Sequence, residues 1–330
     1  MREALYYEAG HDGAVGCRLC PKGCEIKAAQ SGACRVRRND GGRLYSLNYG
    51  QCSACALDPL EKKPLYHFSP GQKVLSLGTF GCNMSCRYCQ NWTLSQQEPA
   101  TKYLSPQDAV ALALRYRERG NIGLAYTYSE PTVWYEYVWD TAQAAREEGL
   151  KNVVVTNGFI NQEPLKRWLE VIDAINIDVK AFNKEFYRKI CGAELTPVLK
   201  CVEMAARRCH VEITTLLVPG HNDDLAEVES LARWLAGINP DIPLHLTRYH
   251  PDYQFTAPET PLSMLSAAQE AARTHLHYVY IGNVAGEEKN SCCPHCGAVL
   301  LERFAGDMSA EVGQECLQCG AKIQFTGPYL

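Results

Sequence analysis

The stretch "GTFGCNMSCRYCQNW", residues 78–92, sets Cys82, Cys86 and Cys89 on one short loop directly after the apolar run "VLSLG". Thiols at C-x3-C-x2-C spacing are metal ligands in waiting, yet a tetrahedral ion takes four and no further Cys or His follows at short distance. In an iron–sulfur cube, three thiolates hold three irons and leave one iron open to a substrate or cofactor. The missing fourth ligand is therefore the informative feature of this loop.

The chain holds 17 cysteines in 330 residues. Their odd number, their C-x2-C and C-x3-C spacings and the lack of an export signal favour metal ligation over disulfides. Cys293-x2-Cys296 and Cys316-x2-Cys319 read as two knuckles, each closed by a glycine, Gly297 or Gly320. Four thiolates make a closed tetrahedral site with a structural role, zinc being the expected metal and a rubredoxin-like iron the alternative. Cys17-x2-Cys20-x3-Cys24-x9-Cys34 is a second complete set, whose spacing suits zinc and also suits an iron–sulfur cluster. Cys52 and Cys55 could join either set and are expected to join none. Cys191, Cys201 and Cys209 stand alone and are expected to be ordinary core or surface thiols.

These groups need elements to position them. Between residues 74 and 284, seven β-branched runs alternate with helical patterns: "VLSLGT", "GLAYTY", "NVVVTNG", "AINIDVK", "VEITTLLVP", "PLHLTRYH" and "YVYIGNV". Ser105 before Pro106 is a helix start, and Gly120 and Gly149 stand where helices should stop. Repeated β-α units give a parallel sheet, either doubly wound or rolled into a full or partial barrel. In either form, chemistry belongs at the C-terminal strand ends. The cysteine trio lies there, with Glu130, Thr156, Asn157, Asp178, Lys180 and His250.

Three regions follow: a Cys-rich N-terminal metal-binding region over 1–70, a barrel over 71–287 and a zinc ribbon or rubredoxin-like domain over 288–330. A formal net charge of −4 and a pI near 6.2 supply no basic field for nucleic acid or anionic membranes. No run of 18 apolar residues and no signal segment is present, so a soluble, cytoplasmic protein is expected. No P-loop or G-x-G-x-x-G follows a strand, which argues against a nucleoside triphosphate or Rossmann site.

The C-x3-C-x2-C loop after a first barrel strand, with Tyr88 before its last cysteine, resembles the signature of the radical S-adenosylmethionine (SAM) superfamily. "VVVTNGF", "INIDVKAFN" and "TTLLVPGHNDD" resemble strand motifs of the activating enzymes of glycyl radical enzymes, the pyruvate formate-lyase type. "DPLEKKPLYHF", "GCNMSCRYCQNW", "AYTYSEPTVWYEY", "RYHPDY" and "YVYIGNV", with "CRLCPKGC" and the terminal ribbon, resemble the radical SAM component of the AmmeMemoRadiSam system. The resemblance implies a partial (β/α)6 barrel and a [4Fe-4S] cluster on Cys82, Cys86 and Cys89, whose open iron chelates SAM. It places Glu130 against the SAM ammonium, with Tyr128 and Ser129 where the superfamily carries two glycines. It also places Asp178 and Lys180, and less directly Thr156 and Asn157, on SAM polar groups. Tyr249, His250 and Tyr253 of "RYHPDY" would line the substrate side or serve structurally.

The reaction implied is reductive cleavage of SAM to a 5'-deoxyadenosyl radical that abstracts hydrogen from an unidentified substrate, a small molecule or a protein. A reductase such as flavodoxin or ferredoxin would supply the electron, and the association suggests Memo-type and AMMECR-type partners. Two alternatives stand beside this oxidoreductase: an activating enzyme that installs a glycyl radical, and a non-catalytic zinc-module scaffold.

Overall fold

The computed structural model describes residues 1–284, 290–304, 307–309 and 314–327. Its centre is an eight-stranded sheet, ordered as the strands occur in the chain: β1 (Ala54–Pro59), β2 (Lys73–Gly78), β3 (Asn121–Tyr126), β4 (Lys151–Thr156), β5 (Ala174–Asp178), β6 (His210–Leu217), β7 (Leu244–Arg248) and β8 (Val279–Gly282). Strands β2 to β8 are parallel, and each is one of the seven runs expected to form a strand. The β-branched residues suit strands covered on both faces.

One feature corrects the expectation of a partial (β/α)6 barrel. The sheet is mixed, because β1 pairs antiparallel with β2 in the register Ala54↔Gly78 to Pro59↔Lys73. The sheet stays open, as a partial barrel does, since β1 and β8 lie at opposite edges and do not pair. The extra strand comes from the segment that the sequence assigned to the N-terminal region. Its pattern "ACALDP" is only half-buried, so it lacks the alternation that marks a strand. The expected boundary at 287/288 lies outside the described residues.

Six longer helices form the crossovers: α1 (Pro106–Arg115), α2 (Tyr135–Glu147), α3 (Gln162–Trp168), α4 (Leu195–Ala205), α5 (Leu225–Ala236) and α6 (Leu262–Arg273). Helix α1 starts as its sequence dictates: Ser105 Oγ accepts from the Asp108 amide at 3.1 Å and Pro106 fills the first turn. Gly120 and Gly149 adopt positive φ after helical segments, the left-handed geometry that lets a chain leave a helix. Helix α2 buries Tyr135, Tyr137, Val138 and Ala142, and Tyr135 stacks on Trp168 of α3 with centroids 5.1 Å apart. Each large side chain withdrawn from water in this way contributes roughly 1.5–3 kcal/mol.

The N-terminal region is built from short antiparallel strands, including Tyr7–Ala9, Val15–Cys17, Arg37–Asp40 and Arg43–Ser46. A fully buried ion pair fastens it to the barrel. Arg37 Nη1 donates to Glu136 Oε1 of α2 at 3.1 Å, and the same oxygen accepts from the Leu5 amide at 2.8 Å.

The segment between β1 and β2 forms the interior floor of the sheet. Leu60, Leu65 and Phe68 pack among Val74, Ala125, Val153 and Ala174, and Asn176 Nδ2 donates to the Pro64 carbonyl. Beneath this floor sits the ribbon, with strands Ser291–Cys292, Val299–Phe304 and Asp307–Ser309. A chain of polar contacts joins the two. Arg303 Nη1 donates to Ser291 Oγ, which lies 2.5 Å from Tyr280 Oη; Tyr280 Oη lies 2.6 Å from His67 Nε2, and His67 Nδ1 lies 3.2 Å from the Gln324 carbonyl. The carbonyl can only accept, so Nδ1 carries the proton and the tyrosine donates to Nε2.

Candidate active site

The loop after β2 starts with a close approach. Gly81 has φ +90°, and a Cβ there would lie 2.7 Å from Val36 and 2.9 Å from the Cys34 carbonyl, so only glycine fits. From this point the chain turns over the strand ends and presents Cys82, Cys86 and Cys89 to a cavity of about 490 Å³. Hydrogen-bond donors or hydroxyls approach two of the sulfurs. The Met84 amide (3.4 Å) and Asn157 Nδ2 (3.6 Å) donate to Cys82 Sγ, and Ser95 Oγ lies 3.2 Å from Cys89 Sγ. Burial pushes the Cys82 and Cys89 thiols up, and the Cys191 thiol beside Cys86 does the same there, so metal binding must displace these protons. Three sulfurs on one cavity wall, with polar groups directed at them, fit a cluster bound at three corners.

The same cavity is lined by Glu130, Thr156, Asn157, Asp178 and Lys180. Glu130 is buried, and Oε1 accepts from the Thr132 amide (2.9 Å) and Thr156 Oγ1 (2.6 Å) while Oε2 accepts from the Asn157 amide (2.9 Å). Three of its four acceptor directions are used, leaving one on Oε2. Burial raises its pKa, with these donors acting the other way. Thr156 is thus committed to Glu130, and the Asn157 carboxamide divides itself between Cys82 and Asn83 Oδ1 at 3.0 Å. Lys180 Nζ meets Asp178 Oδ2 at 2.6 Å; burial would depress the lysine, but the carboxylate outweighs it and holds it well above its usual value.

Tyr249, His250 and Tyr253 lie outside the cavity lining. The Tyr249 hydroxyl is buried on the Phe255 carbonyl at 3.1 Å, His250 is exposed, and Tyr253 stacks on Trp92 with centroids 5.3 Å apart. Cys191, read as an isolated thiol, sits fully buried beside Cys86, 3.8 Å from the Tyr88 hydroxyl.

Sequence reasoning missed the part of the cavity lining that comes from "DPLEKKPLYHF". Lys62 and Lys63 line the cavity and converge on Asp58, at 2.9 and 2.8 Å, with the Tyr128 hydroxyl donating to the same carboxylate at 2.6 Å. Tyr128 holds φ +71°, a strained backbone for a non-glycine residue, secured by that bond and by the Lys63 ammonium 4.5 Å from its ring centroid. Gly78 leaves the room for it, since a Cβ at that position would come within 2.8 Å of the Tyr128 ring. The signal available in the sequence was the pair of adjacent lysines and the tyrosine that replaces a glycine.

Cys293, Cys296, Cys316 and Cys319 bring their sulfurs within 4.8 Å of one another, with Cys293 to Cys319 at 3.7 Å and Cys296 to Cys316 at 3.6 Å. A Zn–S bond of about 2.3 Å sets tetrahedral sulfurs about 3.8 Å apart, so the group fits one zinc ion. Gly297 and Gly320, at φ +76° and +71°, close the two knuckles by donating back to Cys293 and Cys316. Cys17, Cys20 and Cys34 are buried and Cys24 half-buried, with the Cys17 amide donating to the Cys24 carbonyl. Among the described residues only the C-terminal four form a group tight enough for a single ion.

A family model described as the radical SAM superfamily matches residues 76–235. The uncharacterized protein MJ0808 of Methanocaldococcus jannaschii is 44% identical over 337 residues, spanning 98% of this chain and 99% of that protein. Pyruvate formate-lyase 1-activating enzyme of Escherichia coli is 27% identical over 176 residues, covering 52% of this chain and 71% of that enzyme. Among solved structures, SuiB of Streptococcus suis bound to S-adenosylmethionine shares the fold with a TM-score of 0.51 at 13% identity, over 63% of this chain and 51% of that one. No helix among the described residues is long and apolar enough to cross a membrane. The chain carries a radical SAM superfamily domain over residues 76–235, shares a family along its whole length with MJ0808, and is homologous over about half of that length to a glycyl-radical-enzyme activating enzyme.

Proposed function

We propose that this protein is the radical SAM component of an AmmeMemoRadiSam system, acting on a substrate of its own rather than installing a glycyl radical. The observation that carries the reading is the lone trio: three thiols on one loop open onto a cavity also lined by Glu130, Asp178 and Lys180. A [4Fe-4S] cluster at those thiols would supply one electron to the SAM sulfonium and so a 5'-deoxyadenosyl radical for hydrogen abstraction. The protein's part is to bind, orient and keep water out. The open acceptor direction on Glu130 Oε2 suits the SAM ammonium, and the Asp178–Lys180 pair offers one acceptor and spare N–H donors to its polar groups. Asn157 and Thr156 hold Cys82 and Glu130 in place.

The full-length relationship to MJ0808, against half-length matches to activating enzymes, supports a separate branch. Memo-type and AMMECR-type proteins are the partners this reading names, and a flavodoxin or ferredoxin is the electron source. Cys17, Cys20, Cys24 and Cys34 would hold zinc, with a second iron–sulfur cluster as the alternative, and the ribbon would hold zinc. Anaerobically purified protein should carry about four irons and four sulfides at the trio. After reduction it should convert SAM to 5'-deoxyadenosine. Absence of that product, with the partners supplied, overturns the proposal.

A further inference from the structure

The strongest feature that the SAM chemistry leaves unused is the cluster of Asp58, Lys62, Lys63 and Tyr128. Lys62, Lys63 and Tyr128 line the cavity, and Asp58 of β1 and the two lysines of the floor segment lie outside the superfamily match at 76–235. Asp58 is 6% exposed and spends itself on three donors, Lys62 to Oδ1 and both Lys63 and Tyr128 to Oδ2. Each ammonium carries three N–H donors and makes one hydrogen bond among the described residues, so four donor directions stay unspent. Two lysines against one carboxylate also leave a surplus positive charge. Lys63 is 3% exposed, so part of that charge is held away from bulk water, whereas Lys62 is 61% exposed and can swing toward an incoming group. A buried ammonium with unspent donors is costly unless an acceptor arrives. The strained φ of Tyr128 and the glycine at 78 that admits its ring show that the cluster is built around this arrangement.

We propose that Lys62 and Lys63, positioned by Asp58 and Tyr128, form an oxyanion subsite that reads a carboxylate or phosphate group of the substrate. This rests on the cavity being the SAM and substrate chamber, and it names the substrate class: a compact anion-bearing molecule or side chain whose reacting C–H faces the cysteine wall.

The test is equilibrium dialysis of the anaerobically purified protein with labelled inorganic phosphate and, separately, labelled acetate, with iron content and SAM affinity measured in parallel. The wild type should bind at least one probe, and the better probe identifies the oxyanion. Lys62→Ala should weaken that binding about tenfold, the worth of one charge-assisted hydrogen bond. Lys62→Arg should largely restore it. Asp58→Asn, which removes the competing charge and keeps the shape, should tighten it; a merely structural role predicts no gain. Lys63→Met should abolish binding; if that variant fails to fold, Lys62→Ala and Asp58→Asn still decide the matter. No probe binding in the wild type, or binding unchanged by Lys62→Ala, overturns the subsite. Loss of SAM affinity in Lys62→Ala with probe binding intact assigns the lysines to SAM instead and overturns it too. Missing iron or SAM binding in the wild type would fail the radical SAM reading alone, since dialysis needs neither.

Discussion

The Asn157 carboxamide donates to the Cys82 sulfur at 3.6 Å, and its backbone amide donates to Glu130 Oε2 at 2.9 Å. One residue just past β4 therefore ties a thiol of the trio to the neighbouring Glu130 carboxylate.

Removing that donor should loosen the cluster without unfolding the barrel. Asn157→Ala is expected to speed iron loss to a chelator about tenfold, the lower end of what losing a ligand's hydrogen-bond partner costs. Timed chelation of the anaerobic holoprotein reads this directly. Release at the wild-type rate would mean the contact does not support the sulfur.

The metal sites should be separable. Cys86→Ala is expected to lose the trio's iron and all 5'-deoxyadenosine formation while keeping the ribbon's zinc, because the two sites share no ligand. Cys316→Ser should do the reverse to zinc, with iron retained. Metal analysis of both variants checks the grouping, and joint loss in either one would break it.

Arg37 and Glu136 are both buried, and each would strand the other if removed. Arg37→Met should destabilise the protein by about 3–5 kcal/mol, the cost of an unpaired buried charge. The double variant Arg37→Met, Glu136→Leu should recover much of that loss. Denaturant midpoints of the single and double variants measure the difference.

Acid should weaken the seat of the ribbon. Burial presses the His67 pKa down from 6.5 to about 3, so the folded protein holds this ring neutral while the unfolded chain protonates it. Its contribution is full above pH 6.5 and falls with pH below that, by up to about 1.4 kcal/mol per unit. Glu212 adds a second loss at lower pH. Burial alone would raise it, but bonds from His210 Nε2 at 2.9 Å and His245 Nε2 at 2.7 Å hold it well below the usual carboxylate range. A depressed acid stabilises above its unfolded pKa and loses this as pH falls, so that loss starts near pH 4.5. Stability measured from pH 7 to pH 4 should fall from about pH 6.5, and His67→Phe should flatten the upper part of the curve.

Local chemistry determined much of this protein. The seven parallel strands were legible because β-branched runs bounded by turns form buried strands in almost any context. The ribbon was legible because two C-x2-C-G knuckles need only their own backbone to aim four sulfurs. The cysteine trio was legible because its ligands share one short loop. Tertiary structure decided what depends on segments far apart in the chain. It turned residues 54–59 into an antiparallel edge strand, brought Cys191 beside Cys86, and carried Tyr249 into the core away from the cavity. It also folded "DPLEKKPLYHF" under the sheet, so that Lys62 and Lys63 face the cavity above while His67 holds the ribbon below. A lysine pair reads as solvated charge in a sequence, and only the surrounding walls distinguish Lys63, shut away from water on Asp58, from Lys62, which stays open to it.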